Sequence, residues 1–170
     1  MHAATWALMA ACKRKDVDAA GRIWRSISPA LRGREADAYF AEPYVMPGNV
    51  DGPLSTTPGR AGWTWYTGSA AWTNRVALEW MLGIRPTLKG LEIDPCPPRE
   101  LGQVRAERMW RGVRVCVSFD AREFEAGMKP VLKVNGAALK GNVIEETVAH
   151  AAAGVDGVVE VAVSWEVDAT

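Results

Sequence analysis

The chain has 170 residues, 48% apolar and 24% charged, with Lys+Arg and Asp+Glu at 20 each and a formal net charge of zero. This is the composition of a packed globular protein of one ordinary domain or two small ones. The neutral balance argues against nucleic-acid or anionic-membrane binding through bulk charge.

Residues 3 to 13, "ATWALMAACKR", are strong helix formers. That helix is apolar nearly all round, so burial on several sides is expected. It starts without a cap or a preceding turn, as though more chain belonged upstream. Asp16 offers an N-cap to a second helix, in which Val17, Ala20, Ile23, Trp24 and Ile27 recur at helical spacing up to Pro29. The two make an antiparallel hairpin with a short connection. Residues 30–41 have room for one more helical turn. From Glu42 to Arg60, Pro and Gly predict no regular structure, and so long a loop in a compact domain is functional or disordered.

Thr67 or Ser69 then caps a helix with Trp72, Val76 and Trp80 on one stripe and Leu78 and Leu82 beside it. Gly83 is the expected stop. Past Gly83 the pattern changes to short alternating strands separated by glycine turns. Residues 84–98 read as a hairpin, and "QVRAERMW" and "RVCVSFD" alternate around Arg111-Gly112. "PVLKVNG", "LKGNVI" and "GVVEVAVSWEV" are further strands, together suggesting a β-sandwich. The expected division is 1–84 and 85–170. No apolar run reaches transmembrane length, and the basic residues of the N-terminus follow its apolar stretch, the reverse of a secretory signal. Cys12, Cys96 and Cys116 are few, odd in number and scattered. They read as free thiols in a reducing compartment, which makes the cytoplasm the expected location. With His2 and His150 the only histidines, no protein-built zinc site is expected.

Four of the eight tryptophans, Trp63, Trp65, Trp72 and Trp80, fall between residues 59 and 80. They surround Thr67-Gly68-Ser69. A helix N-terminus exposes unpaired N–H groups and a partial positive charge, so this turn either caps a helix or holds an anion. Trp63, Trp65, Tyr66 and Trp72 are either core or faces on which sugar rings stack. His2 is a lone histidine that as a cation could meet an anion. Glu42 is either a solvated carboxylate or an acid, base or sugar-hydroxyl acceptor. Arg60 is either a surface residue or a forked donor to an anion.

The pieces "HAATWALMAA" (2–11), "EPYV" (42–45), "GWTWYTGSAAW" (62–72), "LGIRP" (82–86) and "LEIDPCPP" (91–98) run in order. Together they resemble glycoside hydrolase family 94, which includes cellobiose and chitobiose phosphorylases and the C-terminal part of cyclic β-1,2-glucan synthase. The likeness covers about residues 1–120, and "WTWYTGSA" is nearer the glucan-synthase branch. It implies α+β architecture, with helices from the end of an (α/α)6 barrel followed by an antiparallel β-sandwich. It also implies inverting chemistry on β-glucan oligosaccharides, with inorganic phosphate as co-substrate and attacking group in place of an activated water. No other cofactor is implied. By the same resemblance His2, Thr67 and Gly68 hold phosphate, while Trp63, Trp65, Tyr66 and Glu42 meet sugar.

Two departures qualify this. The family's general acid lies upstream of the histidine motif, so no catalytic residue is assigned here, and the remainder of the barrel is an expected partner. Where several phosphorylases carry a sugar-contacting glutamine, this chain has Gly48. The chain is therefore expected to be a C-terminal piece of a larger enzyme, inactive in phosphorolysis alone. The alternatives are a non-catalytic carbohydrate-binding module and an inert truncated gene product.

Overall fold

The computed structural model describes residues 1–167, so the last three residues of the expected 85–170 unit lie outside it. Helix α1 (His2–Lys13) and helix α2 (Val17–Ile27) form the expected hairpin. Lys15 reverses the chain at φ +57°, and the Asp16 carboxylate accepts from the Ala19 N–H at 3.0 Å. Thr5, Leu8, Ala11 and Cys12 face inward. The expectation of burial on several sides fails: Ala3, Trp6, Ala7 and Ala10 form an exposed stripe at helical spacing. Among the described elements, α2 and the helix of residues 67–81 cover only the opposite face.

Two short turns, α3 (Pro29–Arg32) and α4 (Ala36–Tyr39), stand where one was expected. The loop that follows is not wholly irregular. Strands β1 (Asn49–Val50) and β2 (Ala61–Gly62) pair antiparallel. Asp51 closes the segment between them, its carboxylate accepting from the Ser55 and Thr57 hydroxyls at 3.3 and 2.7 Å. Side-chain bonds thus supply the order that Pro and Gly deny to the backbone ladder.

Helix α5 (Thr67–Val76) runs on through a π-helical turn, Ala77–Met81, and stops at Gly83 with φ +68°. The chain leaves it against the next hairpin. The Asp94 N–H donates to the Gly83 carbonyl at 2.9 Å and the Cys96 N–H to the Met81 carbonyl at 3.0 Å. Lys15 adds a clamp from the turn between α1 and α2, its Nζ donating to Asp94 Oδ1 at 2.6 Å and to the Asp94 and Pro95 carbonyls.

The C-terminal half holds two sheets. Strands β3 (Ile84–Pro86) and β4 (Leu91–Ile93) form the predicted hairpin. The second sheet opens with β5 (Gln103–Trp110) and β6 (Val113–Asp120), joined at Arg111-Gly112 where both φ values are positive. Strands β7 (Met128–Val134) and β8 (Ala137–Leu139) follow, then β9 (Val143–Ile144), helix α6 (Glu146–Ala153) and β10 (Val158–Val167). The sheets run β3-β4-β9 and β5-β6-β10-β7-β8. The wholly antiparallel arrangement expected from the sequence is corrected in one place: β10 runs parallel to β6. A parallel neighbour needs a long crossover. Here that crossover includes α6, which sequence reading missed and which packs on both strands.

Ile84, Leu91, Ile93 and Ile144 of the small sheet meet Val115, Val117, Leu132, Val159 and Val161 of the large one in a single core, with Ala149 and Ala153 of α6. A second core gathers Leu8, Cys12, Ala20, Ile27, Val76 and Met81, and takes Cys96 and Phe124 from beyond residue 84. Trp165 lies against both, its ring 4.8 Å from Phe124 and 6.0 Å from Phe119. The architecture is mixed helix and sheet. All three cysteines are free and buried. The Cys12 and Cys96 thiols share a hydrogen bond that pushes the Cys12 pKa up and the Cys96 pKa down.

Candidate sugar and anion site

The site is built on two helix N-termini that lie side by side. α1 packs along α5, so His2 at the start of one helix meets Gly68 at the start of the other. A Cβ built on Gly68 would lie 3.4 Å from His2 Cε1 and 3.6 Å from Nδ1. The imidazole thus lies against the first turn of α5, within ordinary contact of where a Gly68 side chain would begin. His2 Nε2 is buried and has no hydrogen-bond partner. Three rings surround the imidazole, Trp6 at 5.3 Å, Trp72 at 6.1 Å and Tyr66 at 6.5 Å between centroids. A buried polar atom without a partner carries a desolvation cost unless a ligand or water meets it.

Neither Thr67 nor Ser69 caps α5, contrary to expectation. Tyr66 occupies the cap position and supplies no side-chain bond. The buried Ser69 hydroxyl instead donates to the carbonyls of Pro47 and Tyr66, at 3.2 and 3.1 Å. Those bonds fasten the loop before β1 beneath the helix. Thr67 is the first residue of the helix and is exposed. The first turn therefore keeps N–H groups that no side-chain oxygen has claimed, beside the orphaned imidazole nitrogen.

The core reading of the tryptophan cluster fails for two rings and holds in part for two others. Trp63 and Trp65 are 77% and 63% exposed, whereas Trp72 and Trp80 pack against the helical core. Both exposed tryptophans have positive φ, +52° and +61°. Such a conformation is a genuine outlier for a bulky residue and costs about 1–2 kcal/mol. The surrounding bonds hold it. The Gly48 N–H donates to the Gly62 and Trp63 carbonyls, and the Tyr66 N–H to the Met46 carbonyl.

Gly48 is itself constrained, since a Cβ there would lie 3.2 Å from Trp63 Cβ. A larger residue at 48 would require Trp63 to move. Trp63 stands 5.5 Å from Tyr66. Glu42 is drawn in by Trp65, whose Nε1–H donates to Glu42 Oε1 at 3.1 Å. Tyr44, which sequence reading passed over, faces Trp65 at 6.1 Å. Arg60 lies 4.3 Å over the Phe40 ring rather than beside the imidazole cluster. Among the described residues there is no group of three or more His, Cys, Asp or Glu able to hold a metal ion. No helix there is long and apolar enough to cross a membrane.

Histidine against a glycine-bearing helix start, with exposed aromatic rings alongside, is an arrangement suited to a sugar and an anion. Comparison with known proteins finds its likenesses among proteins named for carbohydrate chemistry. Residues 1–83 match the glycosyl hydrolase 94 superfamily, catalytic domain. Over 144 residues, 82% of this chain, it is 38% identical to the cyclic beta-(1,2)-glucan synthase NdvB of Rhizobium meliloti (strain 1021), of which it covers 5%. It is 25% identical over 142 residues, 84% of the chain, to the N,N'-diacetylchitobiose phosphorylase of Vibrio proteolyticus, covering 18% of that protein. It is 27% identical over 143 residues, also 84% of the chain, to the solabiose phosphorylase of Paenibacillus borealis, again covering 18%. The chain thus resembles glycoside hydrolase family 94, in residues 1–83 above all, and corresponds to a small part of each of these relatives.

Proposed function

We propose that this chain carries the phosphate-holding part of an inverting glycoside phosphorylase or glycosyltransferase site acting on β-glucans. In this reading His2, Thr67 and Gly68 hold inorganic phosphate, the co-substrate. The α5 N–H groups and the Thr67 hydroxyl donate to its oxygens, and the His2 ring donates from the side. Trp63, Trp65, Tyr66 and Glu42 line the approach for the sugar. A phosphate oxygen attacks the anomeric carbon, the glycosidic bond breaks, and the leaving oxygen takes a proton from a carboxylic acid. No residue of this chain is assigned that acid. The rest of an (α/α)6 barrel, as partner, would supply it.

The observation that carries this reading is the His2 imidazole lodged against Gly68 with Nε2 unpartnered. The test is a phosphate titration followed by ¹H–¹⁵N spectra of the histidine ring. Phosphate is expected to shift the His2 signals saturably. Thr67→Ala should weaken binding, and Gly68→Ala should weaken it further by narrowing the approach. A His2 signal indifferent to phosphate would sink the proposal. General acid assistance commonly contributes roughly 10²–10⁴-fold, so the chain alone is expected to form no detectable glucose 1-phosphate from β-1,2-glucan and phosphate. Sustained turnover would overturn that division of roles.

A further inference from the structure

We infer that Cys12 and Cys96 form a redox-active pair, which hydrogen peroxide converts into an intramolecular disulfide fastening the end of α1 to the segment after β4. The inference is independent of the sugar and phosphate reading and uses no residue assigned there.

Two segments far apart in sequence meet at this point. Cys12 lies in the last turn of α1, and Cys96 follows β4 by three residues. Both belong to the helical core, and their thiols are joined by a hydrogen bond. The backbone on each side is tied down. The Lys15 N–H donates to the Cys12 carbonyl at 3.0 Å and the Asp16 N–H to the Ala11 carbonyl at 3.1 Å. The Cys96 N–H donates to the Met81 carbonyl at 3.0 Å. Lys15 Nζ bridges the two segments through Asp94 and through the Pro95 carbonyl at 3.2 Å. That carbonyl belongs to the peptide bond before Cys96, so the ammonium is held within one residue of the thiol.

All three cysteines are buried, yet their surroundings differ. Burial makes a thiol inert unless its neighbours favour the thiolate. For Cys116, burial and then the Glu160 and Glu107 carboxylates push the thiol up, with Arg105 opposing. For Cys96 the bond from the Cys12 S–H dominates and the Lys15 ammonium assists. Its pKa falls despite burial and the Asp94 and Asp16 carboxylates. A nucleophilic sulfur, a second thiol in contact with it and a cation thus share one place. Access comes from the end of α1, where Lys13 and Arg14 are exposed and Lys15 reverses the chain. Such a helix end opens at less than the cost of global unfolding.

The Cys96 thiolate attacks one peroxide oxygen and the O–O bond breaks. Cys96 becomes a sulfenic acid, and the other oxygen leaves as hydroxide and takes a proton to become water. The Cys12 sulfur then displaces the sulfenic oxygen. The S–S bond forms, the S–O bond breaks, and the thiol proton leaves with that oxygen as a second water. The two thiols lose two electrons and two protons, and one peroxide becomes two waters. The loop closed, residues 12–96, is long, so the disulfide removes much freedom from the unfolded chain.

The test treats the full chain, reduced beforehand and freed of reductant, with hydrogen peroxide. Remaining thiols are then alkylated in denaturant and the chain is digested without reductant for mass mapping. A peptide pair joined through Cys12 and Cys96 is expected, with Cys116 alkylated. The unfolding constant of the oxidised chain in urea should be roughly tenfold smaller or less, and dithiothreitol should restore the reduced value. Cys12→Ala should give no cross-link and leave Cys96 as a sulfenic acid that dimedone labels. Far-UV circular dichroism checks its fold, and the wild-type mapping decides by itself if that variant does not fold. Three results overturn the inference: both thiols intact after peroxide, Cys116 oxidised as fast as Cys96, or a disulfide that leaves the urea midpoint unchanged or lower.

Discussion

Replacing Gly83 by alanine would strike the joint between helix α5 and the first hairpin. Two penalties add there. At φ +68° any L side chain costs about 1–2 kcal/mol. The Cβ would also lie 2.2 Å from the Pro95 nitrogen and 2.3 Å from the Asp94 carbonyl carbon. Both are backbone atoms and cannot rotate away. Relief means moving residues 94–96 and straining the bonds from Asp94 to Gly83 and from Cys96 to Met81. Overpacking of this kind adds about 1–3 kcal/mol, for a total of roughly 2–5 kcal/mol. That is a large share of the stability of an ordinary domain, about 5–15 kcal/mol. Gly112 and Gly136 are internal controls: both have φ +83°, and a Cβ at either meets nothing within 4 Å. Their alanine variants should lose only the conformational part, about 1–2 kcal/mol. Urea denaturation of the three variants at one pH gives the comparison. If Gly83→Ala is no less stable than Gly112→Ala, the close approach of residue 94 to the helix exit is not a constraint, and the reasoning fails.

Three smaller predictions follow from the same geometry. Asp16→Ala removes the acceptor for the Ala19 N–H and should cost about 1 kcal/mol in urea denaturation; an unchanged midpoint would show that the α1–α2 hairpin does not use this cap. Trp65→Gly relieves the positive-φ penalty of about 1–2 kcal/mol and returns about 0.5–1 kcal/mol of chain entropy. The melting temperature should hold or rise by up to about 4 °C while oligosaccharide binding is lost, and a clear fall would mean that the ring packs. The Arg122 guanidinium and N–H bonded to Asp120 hold its carboxyl below its ordinary 3.8, at about 2. A depressed carboxyl contributes stability above its unfolded value and loses it as pH falls through the folded one. The stability gap between wild type and Asp120→Asn should therefore be constant above pH ~4 and close toward pH 2; a gap independent of pH would refute the pairing.

Residues whose role is set by local pattern were legible in the sequence. Asp16 caps, Gly83 stops a helix, and Arg111-Gly112 turns a hairpin, each through its own backbone preferences. α6 escaped because "ETVAHAAA" is a short helix among strands, seen only when β10 returns parallel to β6 and needs a crossover. Ser69 looked like a cap because the serine side chain suits one, yet its hydroxyl was taken by Pro47, a residue 22 positions away. No local rule weighs such a distant acceptor.

The conformations of Trp63 and Trp65 were equally hidden, since propensity disfavours positive φ for tryptophan and gives no reason to expect it twice in three residues. The explanation lies in the 46–48 segment, whose N–H and carbonyl groups pin residues 62–66 from across the loop. Gly48 belongs to that clamp. Read alone, it is a missing glutamine; read in place, it is the gap into which Trp63 Cβ fits. The absence of a side chain at 48 and the outward setting of Trp63 therefore go together, since a Cβ at 48 would press on that of Trp63.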